Sequence, residues 1–576
     1  MSSPAGRARA ISARIEEVDR PEIWISRVEV DELEWALEVL NQRQLAGDHL
    51  PLAGLTFAVK DNIDVAGVVT TAGCPAFATL ATSCAPAVQS LLDAGAIYVG
   101  KTNLDQFATG LVGTRSPYGA VRNAVDPQLI SGGSSSGSAV AVALGLVDFA
   151  LGTDTAGSGR VPAALNGIVG VKPTVGMVST TGVVPACWSF DCVTAFTRDV
   201  VLARRVMRIM ADTDRADPRR RHAPCESSLG LAQRPVVAFV EPVDLPDLDS
   251  ARREAYDESV QRLRRANCDL IAVDLEPFLR AGRLLYGGAF VAERFAAVGD
   301  WVASHRDDVD PTVKTIIMSA GELTAQQLAT DTNQLALATR EVAEIFSRIG
   351  ACSFILPTVG FFPTLDEVAA DPVGVNARLG RYTTFVNMLD LCAMSVPGPT
   401  VAGLPFGLTL MGPAWSDEIQ GDLAQIIEGR SRHQIDTTPI DNLGLPFVEI
   451  AVVGAHLRGQ PLNYQLTDRG GRFVRRASTA PQYRLFALQT EPPKPGLVRV
   501  NDAGAGAAIA LEIWALSPAD FADFVTAIGP PMVVGSIELA ERTRVSGFLC
   551  EPIALEGALD ITASGGWRAH LASSAQ

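Results

Sequence analysis

Residues 130–162 read ISGGSSSGSAVAVALGLVDFALGTDTAGSGRVP, the densest run of small residues in the chain. A Gly-Ser run precedes an alanine-rich helical pattern, and the strand-like FALGTD (149–154) leads directly into a second Gly-Ser turn, TAGSGR (155–160). One alternative is a phosphate loop at a helix N-terminus, but the GxxxxGK[ST] lysine and the GxGxxG spacing are missing. A second alternative is a pair of flexible turns. A strand that ends in a Gly-Ser turn instead favours a scaffold that presents a hydroxyl group.

Short apolar runs alternate with longer helical patterns on both sides of this stretch, from about Leu55 to Leu410. This alternation is typical of an α/β fold. The runs are LTFAV (55–59), AIYVG (96–100), VVAFV (236–240) and FILPTV (354–359). One further pattern predicts a helix with a single apolar stripe that Gly350 ends. The stripe consists of Leu335, Ala338, Val342, Ile345, Phe346 and Ile349.

Composition limits the class of protein. The 576 residues include 48 basic and 64 acidic side chains, a net charge of −16, and 47% are hydrophobic against 19% charged. Such a chain has a large buried core, and its length predicts more than one domain. The acidic balance argues against nucleic acid and anionic membranes as partners. The N-terminus lacks the apolar stretch of a secretory signal, and no run is long enough to span a membrane. We expect a soluble cytoplasmic protein.

Cysteine and histidine are sparse. The nine cysteines form no CxxC pair, and the six histidines form no HExxH motif. A disulfide framework or a metal site therefore has little support.

The chain changes character near residue 430. Residues 430–447, RSRHQIDTTPIDNLGLPF, are polar and contain proline without an apolar period, which predicts a linker. We therefore predict a first domain over 1–430, a linker over 431–446 and a compact β-rich domain over 447–576. The second domain contains the strand-like stretches VEIAVVGAHL, YRLFALQT, GLVRV, AAIALEIWAL and VSGFLCEP.

A serine that attacks a carbonyl needs a base. The histidines lie in polar or charged segments, which disfavours a Ser-His-Asp arrangement. Lys60 ends the apolar strand LTFAV, and burial would favour its neutral, basic form. The alternative for Lys60 is a solvated side chain after a strand.

Five segments in this order resemble the amidase signature family of serine hydrolases. They are FAVKDNIDVAG, GKTNLDQFATG, SGGSSSGSAVAVA, GTDTAGSGRVPAALNGIVGVKPT and LPFGLTLMGP. The resemblance implies a mixed β-sheet core covered by helices, and a catalytic triad of Lys60, Ser134 and Ser158. In the family the lysine is the base, the serine after the paired glycines follows a cis peptide and relays the proton, and the last serine is the nucleophile. It implies no cofactor.

The second Gly-Ser turn suits an oxyanion. The backbone N–H groups of Thr155, Ala156, Gly157 and Ser158 can converge on the developing charge, because small side chains leave the main chain unshielded. We expect the flanking Asp154 and Arg160 to brace this turn.

Two further stretches resemble allophanate hydrolases within this family: LLYGGAFVAERFAAV (284–298) and DPVGVNARLGRYTTFVNMLDLCAMSVPGPT (371–400). The resemblance implies that Tyr286 and Arg294 bind the substrate carboxylate. They are eight residues apart and would share one helical face, an assumption that Gly287 and Gly288 weaken. The alternative is that Arg294 pairs with Glu293 or another acid.

The C-terminal domain resembles the γ-glutamyl cyclotransferase-like fold, a smaller β-rich α+β domain. The resemblance implies that this domain decarboxylates the first product, N-carboxycarbamate. His456, Asn463 and Arg499 are candidates for holding that small dianion, and each is equally suited to a structural hydrogen bond. The alternative is an interaction or dimerisation module.

The leading hypothesis is hydrolysis of allophanate in urea breakdown, with a biotin-dependent urea carboxylase supplying the substrate and a homodimer as the assembly. A generalist or malonamidase-like amidase is the first alternative. A non-catalytic amidotransferase-like subunit or binding protein is the second, and the presence of Lys60, Ser134 and Ser158 argues against it.

Overall fold

The computed structural model describes residues 3–211, 213–431, 434–435, 445–501 and 503–574. It divides the chain into two compact units. The first comprises Met1–Arg221 and Val236–Gln434, and the second comprises His222–Pro235 and Ile435–Gln576. Most of the predicted linker lies outside the described residues, so its bounds stay a prediction. Hydropathy gave no sign that residues 222–235 belong to the second unit.

The first unit is built on a mixed sheet of eleven strands within the described residues, in the order β1-β5-β2-β6-β8-β7-β12-β13-β11-β9-β10. Its strands are β1 (Trp24–Arg27), β2 (Thr56–Lys60), β5 (Ile97–Thr102), β6 (Phe149–Asp154), β7 (Val169–Lys172), β8 (Cys192–Thr197), β9 (Val236–Phe239), β10 (Asp269–Ala272), β11 (Ala351–Pro357), β12 (Leu391–Pro397) and β13 (Gly407–Pro413). A separate hairpin pairs β3 (Val69–Thr70) with β4 (Thr79–Leu80). The sequence prediction of a mixed sheet is confirmed.

Helices accompany this sheet in the first unit. They are α1 (Pro4–Val18), α2 (Val30–Leu45), α3 (Pro86–Asp93), α4 (Ser136–Ala143), α5 (Arg160–Leu165), α6 (Val200–Met210), α7 (Ser250–Arg265), α8 (Glu276–Gly287), α9 (Ala292–Ser304), α10 (Pro311–Ser319), α11 (Ala325–Ile349), α12 (Leu365–Ala370), α13 (Gly374–Leu379), α14 (Thr384–Met388) and α15 (Asp417–Ile427). The predicted apolar stripe lies on α11, where Leu335, Val342 and Phe346 are buried. Gly350 caps that helix with a left-handed φ of 66°, as predicted.

Strands β2 and β6 position the chemistry. They are parallel neighbours, with Phe57 opposite Phe149 and Val59 opposite Leu151. Every residue of both strands is buried, as expected for parallel strands covered on both faces. Because parallel strands end at the same edge of a sheet, Lys60 at the end of β2 lies beside the end of β6 and the turn that follows it.

The second unit contains a five-stranded sheet, β15-β18-β14-β20-β19, and a three-stranded sheet, β17-β16-β21. The strands are β14 (Val448–Val452), β15 (Arg472–Ser478), β16 (Tyr483–Leu488), β17 (Lys494–Arg499), β18 (Ala510–Leu516), β19 (Met532–Glu538), β20 (Arg544–Cys550) and β21 (Leu559–Asp560). The helices are α16 (Tyr464–Thr467), α17 (Pro518–Thr526) and α18 (Trp567–Ser574). The predicted β-rich α+β character is confirmed. Likeness to the γ-glutamyl cyclotransferase-like fold stays a prediction.

Among the described residues, every helix is too short or too polar to cross a lipid bilayer.

Candidate active site

Lys60 is fully buried at the end of β2. Its Nζ donates to Ser134 Oγ at 2.8 Å and to Thr153 Oγ1 at 2.7 Å. Burial lowers the pKa of Lys60 to about 7 even though nearby carboxylates favour its charged form. A substantial fraction of this side chain is therefore a neutral amine near neutral pH, the form that accepts a proton.

Ser134 lies two residues before α4, and the peptide bond between Gly133 and Ser134 is cis. The side chain is fully buried. Its hydroxyl accepts the hydrogen bond from Lys60, and its backbone oxygen accepts one from the Asp105 N–H at 3.2 Å. The structure thus brings together the first two residues of the predicted triad.

Ser158 lies in the turn between β6 and α5 and is 3% exposed. Its Oγ lies 3.5 Å from the carbonyl oxygen of Gly110, at the upper limit for a hydrogen bond. Gly157, directly before it, has a φ of 125°, which a residue with a Cβ rarely adopts. An added Cβ at Gly157 would also collide with Thr383, so glycine is required for two reasons.

The carboxylate of Asp154 organises the turn that carries Ser158. It accepts the Gly157 N–H at 2.9 Å, the Gly159 N–H at 3.0 Å, and the Arg160 Nη2 and Nε groups at 2.9 and 3.0 Å. The charge of Arg160 and these hydrogen bonds outweigh burial, so the pKa of Asp154 is lowered. Asp154 and Arg160 therefore brace the turn, as the sequence predicts.

This arrangement corrects one part of the predicted oxyanion site. The Gly157 N–H points to Asp154 and is not available to an oxyanion. In the described structure, the N–H groups of Thr155, Ala156 and Ser158 bind no protein acceptor, so these three remain candidate donors. Sequence could not reveal the difference, because it depends on where the Asp154 side chain folds back.

Helix α14 and the residue before it brace the same turn from the other side. Arg160 Nη1 donates to the Thr383 carbonyl at 3.1 Å, and Arg160 Nη2 donates to Asn387 Oδ1 at 2.8 Å. Thr383 Oγ1 donates to the Ala156 carbonyl at 2.8 Å, and Asn387 Nδ2 donates to the Asp154 carbonyl at 2.8 Å. The turn is thus held through both its side chains and its main chain.

Tyr286 and Arg294 lie together, but not on one helix as the eight-residue spacing predicted. Tyr286 lies near the end of α8, a 3₁₀ turn covers Ala289–Val291, and Arg294 belongs to α9. The glycines at 287 and 288 end the first helix. Arg294 Nη2 nevertheless donates to Tyr286 Oη at 3.3 Å, and the guanidinium carbon lies 5.6 Å from the centre of the Tyr286 ring.

Arg294 is 3% exposed and forms no ion pair with a carboxylate of the described residues, although its charge partly offsets the burial that raises the pKa of Asp191. Its Nη1 donates to Thr109 Oγ1 at 2.7 Å and to the Ala108 carbonyl at 3.4 Å. The neighbouring Glu293 instead accepts the Ser189 N–H at 2.9 Å and its hydroxyl at 2.7 Å. The proposed Arg294–Glu293 pair is therefore wrong, and the cation keeps capacity for an anion.

Two of the three C-terminal candidates lie together. Asn463 Nδ2 donates to the His456 carbonyl at 2.8 Å, and the His456 ring stacks on Phe548 at 4.9 Å. His456 lines a cavity of about 100 Å³ with Gln465 and Lys494, and burial lowers its pKa. Arg499 instead pairs with Glu538 at 2.9 Å and does not line that cavity.

Sequence reasoning missed Thr153, Thr109 and Lys494. Thr153 accepts a hydrogen bond from Lys60, and Thr109 accepts one from Arg294. Both threonines lie within motifs that carry the family resemblance. Lys494 lines the cavity beside His456. A threonine or a lone lysine in such a segment carries no distinctive spacing, so the motifs themselves were the only signal.

Comparison with known families assigns both units. Residues 8–419 match the family model described as Amidase. The chain belongs to the amidase family. Residues 448–572 of this amidase match the model described as Allophanate hydrolase C-terminal domain. The resemblances to the amidase family and to allophanate hydrolases are therefore confirmed at the level of family.

Among relatives, this amidase is 40% identical over 572 residues to a urea amidolyase from Saccharomyces cerevisiae, and the match covers 95% of the chain and 31% of the relative. A urea amidolyase from Lachancea kluyveri is 39% identical with the same coverage. The chain thus spans about a third of the length of these curated relatives. The structure of an allophanate hydrolase from Kluyveromyces lactis matches with a TM-score of 0.88 and 36% identity, over 99% of this chain and 97% of that one.

The buried Asp154–Arg160 pair gives a test of what holds the turn. Replacing Asp154 by Ala leaves a buried, unpaired guanidinium, so we expect the free energy of unfolding to fall by about 3 to 5 kcal/mol. The double variant Asp154→Ala/Arg160→Met removes both charges and should recover part of the loss. Guanidinium unfolding measures all three proteins. A double variant less stable than the single one would contradict this account.

Proposed function

We propose that this chain is an allophanate hydrolase, which cleaves allophanate (urea-1-carboxylate) with a Ser-cisSer-Lys triad and so releases ammonia and carbon dioxide in urea degradation. The observation that carries the proposal is the hydrogen bond from the buried Lys60 to Ser134, next to a turn that presents Ser158 beside backbone N–H donors. Support comes from the family models of both units and from the likeness to the K. lactis allophanate hydrolase.

Lys60 serves as the base in this mechanism. Its neutral amine takes the Ser134 proton while Ser134 takes the proton of Ser158. The Ser158 oxygen then bonds to the amide carbonyl carbon of the substrate. The protonated Lys60 returns the proton, through Ser134, to the departing nitrogen, which leaves as ammonia. Water attacks the acyl-enzyme by the reverse relay and frees N-carboxycarbamate and Ser158.

The oxyanion of the tetrahedral intermediate binds the backbone N–H groups of Thr155, Ala156 and Ser158. Asp154 and Thr383 hold the turn, so these donors need little reorganisation when charge develops. Fixed donors of this kind typically supply the largest share of catalysis in acyl transfer.

Arg294 and Tyr286 bind the carboxylate of allophanate. A buried guanidinium is costly unless an anion compensates its charge, and the buried Asp191 interacts electrostatically with Arg294 without forming an ion pair with it. The planar fork of arginine matches a carboxylate. Thr109 and Tyr286 fix the orientation of the guanidinium, which leaves the substrate carboxylate as its counter-ion.

We propose that the C-terminal domain, residues 447–576 after a linker at 431–446, decarboxylates N-carboxycarbamate. His456 and Lys494 line one cavity, and Asn463 fixes the His456 backbone. A lysine and an imidazole suit a small dianion. The contact between Arg499 and Glu538 argues for a structural role for Arg499 instead.

We further propose that the enzyme is a cytoplasmic homodimer without a cofactor and that it acts after a biotin-dependent urea carboxylase. The relatives called urea amidolyases support this coupling, because in them the matching region is 31% of a longer chain.

Two variants test the triad. Ser158→Ala should abolish ammonia release from allophanate. Lys60→Ala should lower the rate of ammonia release nearly as much, because the triad acts as a unit. For the wild type, kcat/KM should rise with pH and level off above about 7, since Lys60 must lose its proton and its pKa is about 7. Ser138→Ala, which removes a buried hydroxyl bound to the Leu151 carbonyl, is the control and should retain activity. Near-normal turnover by Ser158→Ala would exclude the assignment.

The carboxylate clamp is tested by substrate choice. Arg294→Ala should lower kcat/KM for allophanate by about 10- to 150-fold, since a hydrogen bond to a charged group contributes about 1.5 to 3 kcal/mol. Any wild-type turnover of a neutral amide should fall far less, because that substrate has no carboxylate. Arg294→Lys should rescue only part of the loss. Equal losses on both substrates, together with a lower melting temperature, would indicate a structural role and support a generalist amidase.

The role of the second unit is tested in the full chain. His456→Ala should release the first ammonia at the wild-type rate, while carbon dioxide evolution lags behind it, because N-carboxycarbamate accumulates. Arg499→Ala is the matched control and should show no lag. Ammonia and carbon dioxide are followed in the same reaction. The absence of a lag in His456→Ala would favour an interaction module.

A further inference from the structure

Asp105 is a buried carboxylate that the proposed mechanism does not use. It is fully buried in the segment between β5 and the loop that contains Gly110. It forms no ion pair with any described residue. Its carboxylate instead accepts three backbone N–H groups, from Val112 at 3.2 Å, Gly113 at 3.0 Å and Arg115 at 3.0 Å.

These contacts link Asp105 to both serines of the site. Its backbone N–H donates to the Ser134 carbonyl at 3.2 Å. Its carboxylate closes the loop 110–115, and the first residue of that loop, Gly110, offers the carbonyl that faces the Ser158 hydroxyl. The same carboxylate leaves no room for a Cβ at Gly110 or at Gly133, so it packs directly on the main chain beside both serines.

We propose that Asp105 is a positioning residue that fixes Ser134 through its backbone and Ser158 through the closed loop 110–115. This inference rests on the proposed triad and deepens it. Asp105 need not touch the substrate. It sets where the two hydroxyls lie, and loss of the carboxylate would free the loop that locates the acceptor of Ser158.

The charge of Asp105 adds a second, measurable effect. Burial lowers the pKa of Lys60, and Asp105 is the carboxylate that opposes this effect most, ahead of Asp191 and Asp154, whereas Arg294 lowers the pKa further. Removing the charge of Asp105 should therefore lower the pKa of Lys60. A purely structural residue would not shift it.

The test uses the rate at which a fluorophosphonate labels Ser158 in the full chain as a function of pH. This probe reacts with an activated serine whatever the natural substrate is. For Asp105→Asn we expect labelling to be at least about tenfold slower, with its rise shifted to lower pH. Asp148→Asn is the matched control. That carboxylate also accepts a backbone N–H, from Thr56 at 2.8 Å, but it lies directly before β6, at the opposite end of the strand from the turn that carries Ser158. Its loss should therefore change neither the labelling rate nor the pH at which labelling rises.

A second variant tests the loop without changing any charge. Asn376 Oδ1 accepts the Leu111 N–H at 2.8 Å from outside the site. Asn376→Ala should slow labelling several-fold and leave the pH of the rise unchanged, even if Asp105→Asn does not fold. An unchanged rate in either variant, or a slower rate in Asp105→Asn with an unshifted rise, would overturn the proposal. A wild type that does not label would instead refute the proposed triad.

Discussion

The burial of one amine at the end of strand β2 is the constraint on which the site depends. Lys60 ends a strand with no exposed residue, and its Nζ donates to the hydroxyl oxygens of Ser134 and Thr153. Burial favours the neutral amine, while the surrounding carboxylates favour the ammonium, and the balance holds the pKa of Lys60 at about 7. A residue that is normally charged thereby becomes a base at neutral pH.

The turn after β6 meets a different demand, because a main chain that offers free N–H groups must be held by something else. Asp154 accepts the backbone N–H groups of Gly157, Gly159 and Arg160 and pairs with the Arg160 side chain, and Asn387 hydrogen-bonds to both Asp154 and Arg160. The residues that brace the turn are fully buried and polar, and they come from segments far apart in sequence. Their mutual hydrogen bonds offset the cost of burial.

Sequence reasoning reached the elements whose signals are local. The α/β alternation, the apolar stripe that Gly350 ends, and the strand FALGTD all depend on neighbouring residues, and the structure confirms them. Lys60 and Ser134 were paired by motif, and the structure brings them into contact. The errors concern side-chain direction and chain breaks. The Gly157 N–H is taken by Asp154, and residues 288–291 separate α8, which carries Tyr286, from α9, which carries Arg294. Neither fact follows from spacing.

The two compact units are not joined end to end along the chain. The chain leaves the first unit after Arg221, returns to it at Val236 and leaves again after Gln434. Within the second unit, Arg472 Nε donates to the Leu229 carbonyl, so the earlier segment is part of its structure. A gene cut near residue 435 would therefore separate the second unit from one of its own pieces. Genetic exchange at a single breakpoint would not transfer this unit intact.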